Sequence, residues 1–470
     1  MLTKRFTDFA LDTFIPVLDD MLDTVKIPDY SGEHGGFDLS ATDITVNTVD
    51  LTDASIDFRP GQALQVIIPM KLDMSANFEA QFAHFPHHPD ATGQVTATAK
   101  RDTNVALRVT ISADADGKPS VNLGNDPGCK IDLDVTFHGS MYSWLGNLVS
   151  WAFGSIINNA ICSAITTELQ TLQTTMIDPF LAELDMSVDL PLPPVLTAPG
   201  FEPALDLRIT SNPVITDSDI SVTSRMELFD RKRPRPNAAP PPLPQFRTAA
   251  THMLSAELSA WSFDRALDTF YQAGVLSYVV QAAIVPPSSP IQLFTNSTFW
   301  KITAAGLSKY CPNCEMDMIV AASGPPTLDL AGGDVVLHAP ALFTFEVIEP
   351  NGTKRPAFSM SSNIVADVIL NITDDRTNAG TFHTKFSRIS CTASLNSTNV
   401  GQVYSQMLAP PLNVLATLVM IPYANSALAG GIAIPPIAAP GGNLTLVRPE
   451  LILDQESVFL DSDLQWRVEP

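Results

Sequence analysis

The chain has 470 residues; 16% are charged, 45% are hydrophobic, and the formal net charge is −23. An acidic chain without a basic footprint is poorly suited to nucleic acid, and this apolar content is too high for a disordered acidic polymer. At ~150 residues per domain, the length suggests two to four domains.

Lys4 and Arg5 open the chain, but Asp8 and Asp12 interrupt any apolar stretch behind them, so no signal peptide is expected there. Phe6, Ala10, Phe14, Val17, Met21 and Val25 recur at spacings of three and four. They predict an amphipathic helix, kinked at Pro16. Period-two alternation in residues 44–46, 64–68, 95–99, 105–111 and 131–135 predicts antiparallel strands. Residues 82–90 hold His84, His87 and His88 beside Asp90 and read as an exposed polar loop, a pH-sensitive tip or a weak metal site. No Asp, Glu, Lys or Arg occurs in the 33 residues from Val135 to Thr167, and this run predicts a long helix over about residues 142–177.

Residues 231–244 are basic and then proline-rich, an extended connector. Arg231, Lys232, Arg233 and Arg235 are candidates for acidic head groups or for processing, although Pro234 and Pro236 disfavour cleavage and a solvated connector is the simpler reading. Beyond it the pentapeptide Ala10-Leu11-Asp12-Thr13-Phe14 recurs as Ala266-Leu267-Asp268-Thr269-Phe270, 256 residues later. Phe263, Leu267, Phe270 and Ala273 keep the helical spacing around the second copy. Strand alternation returns in residues 316–320, 335–337, 343–347, 364–368 and 382–386. A second uncharged run covers the 59 residues from Ile389 to Val447 and predicts a helix over about residues 403–428, interrupted by Pro410, Pro411 and Pro422. Each half therefore runs helix, strands, long apolar helix, final strands. Both apolar helices make poor membrane spans, because asparagines or prolines break them. They are expected to lie buried against a sheet or an apolar ligand. The implied division is an N-terminal module over residues 1–230, a linker over 231–247 and a C-terminal module over 248–470.

Five cysteines leave at least one unpaired within the chain. Cys311-Pro-Asn-Cys314 has thioredoxin-type spacing, but no βαβ pattern surrounds it; the expectation is that one of the pair bridges to Cys391. Five Asn-x-Ser/Thr triplets, at Asn296, Asn351, Asn371, Asn396 and Asn443, lean toward a secreted, glycosylated surface. No nucleophile elbow, zinc-protease or phosphate-loop motif is present, so no enzyme, cofactor or metal site is expected.

Further segments give the duplicated module a resemblance. Lys26-Ile27-Pro28-Asp29-Tyr30-Ser31, Tyr271-Gln272-Ala273-Gly274-Val275-Leu276, Ala424-Asn425-Ser426-Ala427-Leu428 and Ile432-Ala433-Ile434-Pro435 resemble the bactericidal/permeability-increasing and lipid-transfer protein family. That resemblance implies an α+β boomerang: two pseudo-symmetric antiparallel barrels, each with a long apolar helix, meeting at a central sheet. It implies a disulfide between Cys129 and Cys162. It also implies a secreted protein that makes transient contact with lipid surfaces and holds a phospholipid or another amphipathic lipid. Phe6, Ala10, Phe14, Val17, Met21, Phe263, Leu267, Phe270 and Tyr271 are then the nominated pocket residues, with ordinary core packing as the alternative for each. The alternative function is recognition of bacterial lipopolysaccharide or surface lipid. The antibacterial members carry a basic tip on the first barrel, whereas here residues 1–200 hold 10 Lys and Arg against 26 Asp and Glu, a net −16.

Overall fold

A computed structural model describes residues 1–22, 27–34, 36–51, 54–61, 63–82, 91–124, 128–139, 145–233, 240–241, 252–330, 334–374, 380–435, 437–439, 442–454 and 457–468. The chain divides into two compact units, Met1–Leu184 with Ile209–Thr223, and Asp185–Arg208 with Ser224–Pro470. Each is α+β, and the strand pairings among the described residues of each are antiparallel.

In the N-terminal unit the helix Lys4–Leu22 carries the first copy of the repeat, with Pro16 inside it. One sheet runs Leu133–Gly139, Ala91–Ala99, Lys71–Phe82, Phe37–Asp50, Tyr30–His34; a second runs Gly128–Lys130, Asn104–Ala113, Ala63–Pro69, Ser55–Arg59. Lys71–Phe82 shows why the alternation makes a sheet: Leu72, Met74, Ala76, Phe78 and Ala80 are buried at every second position. Their face joins a core that also holds Val66, Ile68, Val105 and Leu107.

In the C-terminal unit the strands Ser187–Asp189, Pro203–Asp206 and Glu227–Asp230 form a small sheet. The helix Ala260–Ala273 carries the second copy of the repeat and ends at Gly274, whose φ of 73° continues the chain in the left-handed region. The main sheet runs Ser277–Gln281, Glu315–Ala322, Val335–Ile348, Lys354–Thr373, Gly380–Cys391, Ile432–Ile434. The alternations in residues 335–337 and 343–347 belong to one strand rather than two. Trp300 is fully buried against Phe345 and Phe358, and its indole N–H donates to the Gln292 carbonyl at 2.9 Å.

Candidate lipid-contact site

The repeated pentapeptide has a structural role in its second copy. Arg265 Nε lies 3.0 Å from Glu227 Oε1, and Arg265 Nη1 lies 2.8 Å from Asp268 Oδ2. The Thr269 hydroxyl donates to the Leu228 carbonyl at 2.9 Å. Glu227, only 1% exposed, also pairs with Arg225. These contacts fasten the helix to the strand Glu227–Asp230, and the apolar side follows: Phe270 is buried edge-to-face with Phe201.

The nominated pocket residues are therefore dispersed. Phe270 is core. Phe263 is half-buried, packs with Val335, Val368 and Val458, and lies 6.5 Å from the Phe382 ring. Leu267, Tyr271, Phe6 and Ala10 are half-buried. The side chains of Phe14, Val17 and Met21 lie outside the described residues, as do His84, His87 and His88. A cavity of about 390 Å³ on the N-terminal unit is lined by Ser31, Glu33, Asp38, Ser40, Glu79 and Gln81 among others. Three carboxylates make it unfit for acyl chains, and no nominated residue lines it.

The two long apolar helices form where the uncharged runs predict them. The first spans Leu145–Leu172 and continues through a π turn, Gln173–Ile177, into Asp178–Glu183. Ile161, Ile165 and Leu169, spaced by one turn each, face the core. A disulfide joins Cys162 on this helix to Cys129, with Cα atoms 5.7 Å apart. One turn away, Asn158 Oδ1 accepts the Ile131 N–H at 3.2 Å.

The second long helix is composite: a 3-10 turn Ser405–Met407, a helix Ala409–Leu415, a π turn Ala416–Met420 and a helix Ile421–Ala427. Two asparagines clamp it to the strand Gly380–Cys391. Asn413 Oδ1 accepts the Cys391 N–H at 2.5 Å. Asn425 makes both bonds to one residue, accepting from the Phe386 N–H at 2.8 Å and donating to its carbonyl at 2.9 Å. Leu408, Leu412, Leu415, Ala416 and Val419 are buried beneath.

The sheet covers this helix on one side only. The other exposes Met407 (51%), Val414 (43%) and Leu418 (38%), flanked by Tyr404 and Tyr423. Met407 to Tyr423 is 16 residues, about 24 Å of helix. Tyr423 stacks on Tyr278 of the neighbouring strand at 3.8 Å. Neither segment carries charge: residues 269–300 and 389–447 lack Asp, Glu, Lys and Arg. By length and composition Ser405–Ala427 is long and apolar enough to cross a membrane, but its Asn413 and Asn425 side chains bond to a sheet. The uncharged run pointed to this helix; which face stays open depends on where the strand lies, so none of its residues was among those nominated.

The cysteine expectation is corrected. Cys311 and Cys314 bond to each other, with Cα atoms 5.8 Å apart, and Cys391 is a free, buried thiol. Asn313, at φ 58°, turns the chain so that its neighbours meet. Thr295 pins the loop, its hydroxyl donating to the Cys311 carbonyl and accepting the Cys314 N–H. Burial pushes the Cys391 thiol up to about 11. The basic residues before the prolines are paired as well. Arg231 reaches Asp189, Lys232 reaches Glu202 and Arg233 reaches Asp230, so they are not free for anionic head groups; Arg235 lies outside the described residues.

Comparison with known proteins agrees with this architecture. Residues 8–173 match the N-terminal domain of the LBP / BPI / CETP family, and residues 202–464 match its C-terminal domain. The chain is 22% identical over 471 residues to a bactericidal permeability-increasing protein of Sebastes schlegelii, covering 99% of this chain and 94% of the relative. It is 22% identical to a lipopolysaccharide-binding protein of Bos taurus, covering 99% and 93%. It is 21% identical to a phospholipid transfer protein of Mus musculus, covering 74% and 68%. The crystal structure of a lipopolysaccharide binding protein shares the fold, with a TM-score of 0.59 and 18% identity over 99% of this chain and 98% of that one. The chain belongs to the LBP / BPI / CETP family.

Proposed function

We propose that this protein is a secreted, non-enzymatic lipid-binding and lipid-transfer protein that takes phospholipid acyl chains onto its apolar helices. The observation that carries this reading is the exposed, uncharged stripe Met407–Val414–Leu418, held in place from behind by Asn413 and Asn425. Exposed apolar surface organised in this way marks a binding site, and each methylene buried on it contributes ~0.8 kcal/mol. From Met407 to Tyr423 the exposed side of the helix runs about 24 Å, more than one leaflet of a ~30 Å hydrocarbon core and long enough for a full acyl chain. Head groups remain at the solvent edge, and exchange occurs in transient contact with a lipid surface.

Secretion is supported by two disulfides and by the five glycosylation triplets. Asn296, Asn351, Asn371 and Asn396 are exposed, whereas Asn443 is half-buried in a strand paired on both sides; sugar belongs on the first four. Recognition of bacterial surface lipid is the second reading, supported by the names of two relatives. The net −16 of residues 1–200 weighs against strong binding of anionic lipid.

The test is gentle purification, solvent extraction and mass spectrometry of the bound lipid, with uptake of a fluorescent phosphatidylcholine measured alongside. Co-purifying phospholipid and saturable uptake are expected. Absence of both would sink the reading.

A further inference from the structure

The short helix Thr298–Thr303 holds an isoleucine out to solvent on a rigid base. Trp300 and Leu307 are fully buried, and Thr303 and Ala304 nearly so, whereas Ile302 is 58% exposed and Lys301 beside it is exposed as well. The Trp300 ring packs edge-on against Phe345 and Phe358. Gly306 lies so close to Val400 that a side chain there would collide with the Val400 carbonyl. Ile302 is therefore presented by the packing of its neighbours, not by a loose chain.

The same packing sets Ile302 next to the second apolar helix. The Tyr404 N–H donates to the Thr303 carbonyl at 2.9 Å. That bond brings the backbone of Ile302 alongside the start of the stripe, where Tyr404 and Met407 are about half exposed. The surroundings carry no acid in sequence. Residues 269–314 hold Lys301 and Lys309 and no Asp, Glu or Arg, and residues 389–447 hold no charge, in a chain of net −23. Both lysines are exposed, and neither forms an ion pair among the described residues. Beyond Lys309, Arg355 stacks over the Tyr310 ring at 4.2 Å and is paired with Glu349. Aliphatic side chains that can enter acyl chains, a tyrosine suited to head-group depth and lysines long enough to reach lipid phosphates make an interfacial surface. An acid-free face approaches phosphates without the repulsion that the acidic remainder of the chain would meet.

We propose that Ile302, Tyr404 and Met407, rimmed by Lys301 and Lys309, seat the C-terminal unit on the surface of a phospholipid bilayer. The seat brings the Val414–Leu418 stripe to the lipid. The inference rests on the lipid-surface contact in the reading above and names the residues that make it.

Ile302→Asp tests it, with Ile369→Asp as the control. Ile369 is 51% exposed and takes the same charge, but it stands 11 residues along its strand from Phe358, about 36 Å away from the ring on which Trp300 packs. Each protein is sedimented with phosphatidylcholine vesicles. Each is also offered a short-chain fluorescent phosphatidylcholine dispersed as monomers, which requires no surface. Ile302→Asp should lower vesicle binding at least tenfold and leave monomer uptake and the melting midpoint unchanged; Ile369→Asp should bind vesicles as the wild type does. Equal vesicle binding by the wild type and Ile302→Asp overturns the inference, and so does an equal loss in both variants. Loss of self-association in Ile302→Asp with vesicle binding intact assigns the face to a second copy of the chain and likewise overturns it. A wild type that takes up no monomers, while Ile302→Asp still loses vesicle binding, overturns the lipid-transfer reading and leaves the seat standing. The wild-type chain alone gives a further readout: vesicles bearing a photoactivatable phosphatidylcholine should label the peptide covering 298–310. Absence of label there overturns the inference even if Ile302→Asp fails to fold.

Discussion

Asp12 and Asp268 hold the same place in the repeated pentapeptide but meet different surroundings. Asp12 is exposed, while Asp268 shares Arg265 with the buried Glu227. Removing one partner of a buried ion pair leaves a charge in low dielectric, so Arg265→Ala should cost about 3 kcal/mol, the low end of such losses because Arg225 still faces Glu227. Urea unfolding checks this, and a change under about 0.5 kcal/mol, the range of an ordinary surface substitution, would contradict it. Glu257 gives a second residue-level expectation. Burial, aided by Asp454 and opposed by the Ser457 hydroxyl, pushes its carboxyl above the ordinary value of 4.5. The folded chain thus keeps a proton that the unfolded chain releases. Stability from the neutral form is complete below about pH 4.5 and is lost as pH rises through the folded-state value. Glu257→Gln should therefore stabilise the protein at pH 7 and not at pH 4; a gain independent of pH would refute the cause. Cys391 supplies the third. With four cysteines in disulfides, the native protein should resist thiol reagents at pH 8 and release one reactive thiol on unfolding. Three thiols would refute the Cys311–Cys314 bond.

At the scale of elements, the two long helices are held to their strands by related means. The first uses Asn158 and the Cys129–Cys162 bond; the second uses Asn413 and Asn425. The disulfide closes 33 residues of chain. Replacing both cysteines by alanine should cost about 3–4 kcal/mol through the added freedom of the unfolded chain, read as a lower denaturation midpoint. A midpoint equal to that of the wild type would place the helix under other control. The asparagines also show what a sequence conceals. In residues 142–177 asparagines interrupt an apolar run, and in residues 403–428 prolines do. Asn158, Asn413 and Asn425 are attachment points, each bonded to backbone groups of a strand or of the chain beside one that water would otherwise have to reach. Helix and strand positions were legible because burial on one face imposes periods of 3.6 and 2. The π turns were not, because one additional residue in a turn leaves the apolar pattern around it unchanged.

For the whole molecule, charge distribution decides which lipid surfaces are accessible. With −16 in residues 1–200, the protein should bind neutral phosphatidylcholine vesicles with little dependence on salt. Binding to anionic vesicles should be weak at low ionic strength and strengthen as salt screens the repulsion. Sedimentation with vesicles at several salt concentrations checks both; anionic binding that weakens with salt would favour the bacterial-lipid reading. The duplication, the α+β alternation of elements and the two uncharged helices were determined by sequence alone, since periodicity and the absence of charge are properties of the chain. Which face of the second helix stays open, which cysteines meet, and why Asp268 is half-buried where Asp12 is exposed were decided only in the tertiary structure. Those outcomes depend on distances between residues tens to hundreds of positions apart, and no local pattern encodes such distances.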